Sequence, residues 1–243
     1  MAKKVTADEL SKQIKVLQNQ LFNAKAHFEI YMGVGKAWGK HILEIQDSPI
    51  FWQFTMKAHI DSAFLYLCRA YDTDDRAIHL SGFLDAVANN PGLFCEAVFR
   101  ERYKNRAGVD GLAQWPRTLN LKRLSENRNF CNPKNPLIKK LLRWRNNVVA
   151  HRNYEEAMGV AEPLHKRHPL PFGDMETLID KGLSILNEYS SLLDATEYSN
   201  QFLSHQRADY LYIFNSLRFA RIGREWNRRR IRKNLHRKLR EGK

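Results

Sequence analysis

No stretch of this chain approaches the roughly 20 consecutive apolar residues that a membrane-spanning helix needs, and the first residues carry no apolar leader core, because Lys3 and Lys4 run straight into Thr6-Ala7-Asp8-Glu9. The expectation is a cytoplasmic protein. Cysteine is scarce: Cys68, Cys95 and Cys131 are odd in number and far apart, which excludes a disulfide scaffold and suits reduced thiols. Period-two alternation of apolar and polar residues is missing throughout, so no sheet is expected. A phosphate loop is also missing. Gly33-Val34-Gly35-Lys36 lacks both the earlier glycine and the following Ser or Thr, and reads as a helix break. His165-Lys166-Arg167-His168 has no thiolates nearby, and turn or capping roles account for Asp72, Asp74 and Asp75 more simply than a metal does. No cofactor and no metal are expected.

Positive charge is plentiful. The 243 residues hold 40 Lys plus Arg against 26 Asp plus Glu, a net +14 with a pI near 9.8, so a polyanion is among the expected partners. The excess is concentrated. From Arg218 to Lys243 there are twelve basic residues and two acids, Glu225 and Glu241, so this stretch carries +10 of the total.

The apolar residues recur at helical spacing. Thr6 with Glu9 forms a capping box ahead of Leu10, Ile14, Leu17, Leu21, Phe28 and Tyr31, which predicts a long first helix ending near Gly33 or Gly35. Ser48-Pro49 opens a second, with Trp52, Met56, His59, Ala63, Leu67 and Ala70 on one face until Asp72. Shorter helices fit 77–89 and 91–105, and residues 106–135 read as loop or broken helix. Asn135-Pro136 starts a helix carrying Leu137, Ile138, Leu141, Leu142, Trp144, Val148 and Val149. The glycines and prolines of 159–173 predict a surface loop, Asp174 caps a further helix, and a last one runs from about Gln201 into the basic stretch. The fold class is therefore all-α: an up-and-down bundle of four to five helices over residues 1–200, with a basic helical extension over 201–243.

One segment stands out chemically, Arg145-Asn146-Asn147-Val148-Val149-Ala150-His151. An Arg, a polar residue and then a His after four more positions on a late helix of an α-bundle resembles the HEPN superfamily. The bare spacing recurs at Arg229 and Arg230 with His236, but only the first has the proline-capped helix before it. Phe51-Trp52 opening a helix that closes on Arg69-Ala70-Tyr71-Asp72, then Ala150-His151-Arg152-Asn153, is similar to the branch associated with phage abortive infection. The resemblance spans roughly residues 1–200. It implies a homodimeric, metal-independent endoribonuclease, a toxin or antiphage effector controlled by an antitoxin or other regulatory protein. One departure concerns regulation: HEPN toxins silenced by a nucleotidyltransferase often place Tyr two residues after the His, whereas Tyr154 lies three after His151.

The chemistry fits those residue types independently. Metal-free RNA cleavage needs a base for the 2′-OH, an acid for the leaving 5′-oxygen and fixed positive charge beside the phosphate. His151 titrates near neutrality and Arg145 is a permanent forked cation, with Asn146 holding the His or the phosphate. Six helical steps separate them by about 9 Å along the axis and about 120° around it, too far for one chain, so antiparallel copies of the helix would complete the cleft. Candidate nucleic-acid contacts are Lys139, Lys140, Arg143 and Arg152 around the motif. Arg224, Arg228, Arg229, Arg230, Arg232 and Trp226 add a second set in the extension, where a basic amphipathic helix could lie on phosphates. Membrane-surface binding is the competing use of such a helix, and a membrane is not an expected partner. A non-catalytic module binding nucleic acid or protein through the same face remains the alternative.

Overall fold

The computed structural model describes residues 5–146, 158, 162, 164–199 and 203–241. Every regular element among them is a helix: α1 (Ala7–Ala37), α2 (Ile42–Gln46), α3 (Pro49–Ala70), α4 (Leu80–Asn89), α5 (Glu96–Arg102), α6 (Val109–Ala113), α7 (Leu121–Cys131), α8 (Pro136–Trp144), α9 (Leu164–Arg167), α10 (Phe172–Asp194) and α11 (Leu203–Glu241). The all-α class is as expected. The chain forms two compact units, one of residues 1–25 and 61–199, the other of 26–60 and 200–243.

In the first unit, Leu10, Ile14, Leu17 and Leu21 of α1 are fully buried, as are Leu67, Leu80, Leu84 and Tyr189. The Thr6–Glu9 capping box forms reciprocally, the Thr6 amide donating to the Glu9 carboxylate at 2.8 Å and the Glu9 amide to the Thr6 hydroxyl at 3.2 Å. Helix α10 lies close to α1 and α3, and Gly182 permits the approach. A Cβ there would sit 2.7 Å from Leu21 Cδ1 and 3.1 Å from the Tyr71 hydroxyl, which itself donates to the Leu178 carbonyl at 2.7 Å. Any side chain at 182 would push this seam apart.

The second unit is built on Val34, Ile45, Trp52 and Phe214. Phe214 stacks on His41 at 4.4 Å and on Trp52 at 4.9 Å. Helix α1 does not stop at Gly33 or Gly35 but continues to Ala37. Gly33 marks a close approach instead, since a Cβ there would lie 2.6 Å from the Tyr210 hydroxyl. The buried Glu44 accepts from Arg218 at 3.3 Å and Arg221 at 3.2 Å, and Arg224 reaches Asp47 at 2.6 Å. The first arginines of the basic stretch are therefore structural links.

Other boundaries differ from the sequence pattern for local reasons. Pro91 opens only a 3-10 turn, and α5 begins after Cys95. Within 106–135, α7 is a proper helix capped by Asn120, whose side chain accepts from the Arg123 amide. Its inward face is Leu124, Asn127 and Cys131, and the polar Asn127 hides the stripe from a hydrophobicity pattern. Helix α10 starts at Phe172 after Pro171, with Asp174 already in its first turn and bound to Lys140 at 2.7 Å.

Candidate active site

Arg145 closes α8, whose start is fixed by Asn135 accepting from the Leu137 amide, with Pro136 at the first helical position. Ile138 and Leu141 point into the core. Trp144 donates its indole N–H to the His168 carbonyl at 2.7 Å and meets Phe64 of α3 edge-on at 6.4 Å. At Arg145-Asn146 the helix widens into a π-turn, a local loosening that frequently accompanies functional positions.

The Arg145 guanidinium is gripped on two sides. Nη1 donates to Asp72 Oδ1 at 2.5 Å and Nε to Asn146 Oδ1 at 3.1 Å. Asp72 sits just past the end of α3, where its carboxylate also accepts from the amides of Thr73 at 2.6 Å and Asp74 at 3.3 Å. Burial pushes the Asp72 carboxyl up, but the Thr73 amide, the Arg145 guanidinium and the Asp74 amide together hold it below its ordinary value. One turn earlier, burial raises the Cys68 thiol to about 12 despite Arg145, so Cys68 is no nucleophile at neutral pH. Both partners of the pair keep about a quarter of their side-chain surface, 27% for Arg145 and 25% for Asp72. Nη2 has no partner among the described residues, which leaves an edge of the fork for an incoming anion.

Comparison with known families matches residues 7–214 to AbiU2, a HEPN domain family. The chain belongs to that family. It is a HEPN-type domain associated with abortive infection, and the matched span contains Asp72, Arg145, Asn146 and His151 but ends inside α11, ahead of Arg218. No curated protein and no solved structure matches the chain.

The sequence-derived residues separate into three sets, two inside the AbiU2-matched span and one, on α11, beyond it. His151 and Arg152 lie outside the described residues. On α8, Lys139 is exposed, Arg143 is half-buried, and Lys140 is engaged by Asp174. In α11, Arg224 is paired with Asp47, Arg230 lies over the Trp226 ring at 5.6 Å, and Arg228, Arg229 and Arg232 are exposed. Sequence reasoning missed Asp72 as the partner of Arg145. Its place in Arg69-Ala70-Tyr71-Asp72 was a family signal, but the pairing spans 73 residues and has no local signature. Among the described residues no three His, Cys, Asp or Glu side chains cluster in a way that could hold a metal ion, and no helix is long and apolar enough to cross a membrane.

Proposed function

We propose that this AbiU2-family domain is a metal-independent endoribonuclease of abortive infection, acting as a homodimer with a composite Arg145/His151 cleft. The observation that carries the reading is the grip on Arg145. Asp72 and Asn146 fix the guanidinium from two directions at the end of α8 while the side chain stays accessible, which is preorganised positive charge suited to a phosphate gaining negative charge. In the proposed reaction His151 of one copy takes the 2′-OH proton and the 2′-oxygen attacks phosphorus. The bond from phosphorus to the 5′-oxygen breaks, the partner's His151 protonates that oxygen, and a 2′,3′-cyclic phosphate remains. Asn146 steadies the arginine, so its substitution should weaken rather than abolish cleavage.

A second reading rests on the same ion pair. Asp72 and Arg145 would equally fasten α8 to the end of α3 in a module that binds RNA or a partner protein without cutting. Incubating purified protein with a mixed RNA pool in EDTA separates the two: cyclic-phosphate ends that vanish in His151→Ala support the nuclease, and intact RNA supports the module. Mixing Arg145→Ala with His151→Ala chains tests the composite cleft, because heterodimers should regain partial cleavage. Monomers by light scattering at micromolar concentration would rule that cleft out.

A further inference from the structure

A second polar cleft lies in the first unit, between the start of α1, the end of α5 and the chain just past α10. Its volume is about 350 Å³, at the small end of the range for small-molecule sites. The floor is an ordered ion network. Asp194, 8% exposed, accepts from the Ser11 hydroxyl at 2.8 Å, the Arg102 guanidinium at 3.0 Å and the Tyr103 hydroxyl at 3.0 Å. Arg102 also donates to Asp8 at 3.1 Å and to the Leu193 carbonyl at 2.9 Å. Both acids of the cleft are thereby engaged by one arginine.

The rim is different. Lys12, Lys15 and Arg106 line the same cleft, are exposed, and have no carboxylate partner among the described residues. Lys12 and Lys15 are three apart on α1, hence on one face. Arg106 stands 5.6 Å from the Tyr103 ring centre, with Arg102 at 5.1 Å from the same ring. Against the two engaged carboxylates, four cations leave the cleft with a surplus of positive charge, set on a rigid floor.

The remaining wall is built to stay in place. Ala195 takes a left-handed conformation, φ 49°, which ends α10 and turns the chain back towards the cleft. The Tyr198 amide then donates to Asn187 Oδ1 at 3.1 Å while Asn187 Nδ2 donates to the Tyr198 carbonyl at 3.0 Å. Phe22 flanks the ring at 6.4 Å. Burial raises the Tyr198 phenol above its ordinary value, so it is a neutral aromatic face bordering the cations.

We propose that this cleft binds a phosphate monoester carried on a nucleoside. Lys12, Lys15 and Arg106 would meet the phosphate oxygens, and Tyr198 would border the sugar or base. The chemistry is shared by a free nucleotide and by the 5′-phosphorylated end of an RNA. The proposal does not rest on the ribonuclease reading, since none of these residues belongs to the Arg145 site.

The test is calorimetric titration of the full chain with adenosine monophosphate, adenosine, and a short RNA with or without a 5′-phosphate. Wild type should bind the monophosphate and not adenosine, and Lys12→Glu/Arg106→Glu should weaken that binding at least tenfold. A Lys134→Glu control should leave it unchanged. If the RNA end is the ligand instead, the 5′-phosphate should strengthen binding relative to the 5′-hydroxyl RNA, and the double variant should erase that difference. Comparing RNAs of equal length cancels whatever the basic extension contributes. Should the double variant lose its helical circular dichroism, Lys12→Ala replaces it, since that side chain is exposed and bonds to nothing in the core. Absence of phosphate-dependent binding up to millimolar ligand, or equal affinity in the variants, overturns the proposal.

Discussion

In the proposed mechanism Arg145 has a task that lysine could not share. A single ammonium cannot reach Asp72 and Asn146 from two sides and still turn a planar edge towards a phosphate. Arg145→Lys should therefore lose most of kcat, by ten-fold or more, while Arg145→Ala and His151→Ala remove cleavage, all three keeping wild-type circular dichroism. A variant retaining full activity would take Arg145 out of the chemistry. Arg145→Ala should also cost about 1 kcal/mol of stability, because Asp72 loses its cation at a partly exposed position. Asp72 carries its own pH signature. Its folded carboxyl is held below the ordinary value, so its contribution is full above the unfolded pKa of about 3.9 and is lost as pH falls through the lower folded value. Thermal melts from pH 6 to pH 3 should fall less steeply for Asp72→Asn than for wild type; parallel curves would mean the carboxylate gains nothing on folding. At this scale motif and capped helix single out Arg145 and Asn146 as candidates in the sequence, whereas the contact of Arg145 with Asp72 exists only in the folded chain.

At the scale of elements, caps and prolines were legible and close approaches were not. Thr6-Glu9, Asn135-Pro136 and Ser48-Pro49 act on neighbours within four residues, so α1, α3 and α8 start where the sequence places them. Gly33 misled because a glycine that ends a helix and one that admits Tyr210 look alike in sequence. Helix α7 misled because its buried face includes Asn127, which donates to Glu188 at 3.1 Å where an apolar stripe would have a carbon. The second unit also collects histidines whose role is visible only after folding. His27 and His59 meet Nδ1 to Nδ1 at 2.8 Å, where only one hydrogen fits, and burial lowers both below their ordinary value, His27 adding to the shift at His59. Burial lowers His41 as well, with Arg218 reinforcing and Glu44 opposing. A base with a lowered folded pKa contributes stability that is full above its unfolded pKa, about 6.5, and lost as pH falls through the folded value. The melting temperature should therefore drop between pH 7.5 and 5.5, and a His41→Gln/His59→Gln variant should show a flatter dependence over that interval. Identical slopes would place the acid sensitivity elsewhere.

For the whole molecule, the basic excess divides into an anchored part and an exposed part, and the two should behave differently. Arg218 and Arg221 hold the buried Glu44 and Arg224 holds Asp47, so cutting the chain before Arg218 would strand a buried carboxylate. Leaving such a charge unpaired costs about 3–5 kcal/mol, and the truncated protein should melt earlier for that reason alone. Cutting after Trp226 spares these links. It still removes nine of the twelve basic residues counted from Arg218 onwards, among them the exposed Arg228, Arg229, Arg230 and Arg232. For single-stranded RNA, every phosphate deprived of its cation should lower the slope of log affinity against log salt by about 0.7. The shorter chain should therefore bind RNA more weakly with a flatter salt dependence. Its cleavage rate at saturating RNA should stay close to wild type, because Asp72, Arg145, Asn146 and His151 all precede the cut. A salt slope that does not change would remove this stretch from the RNA interface, and a preference for anionic vesicles over RNA would reassign it to a membrane surface. Loss of the dimer on truncation would instead make the exposed Ile231 and Leu235 the residues through which two copies meet.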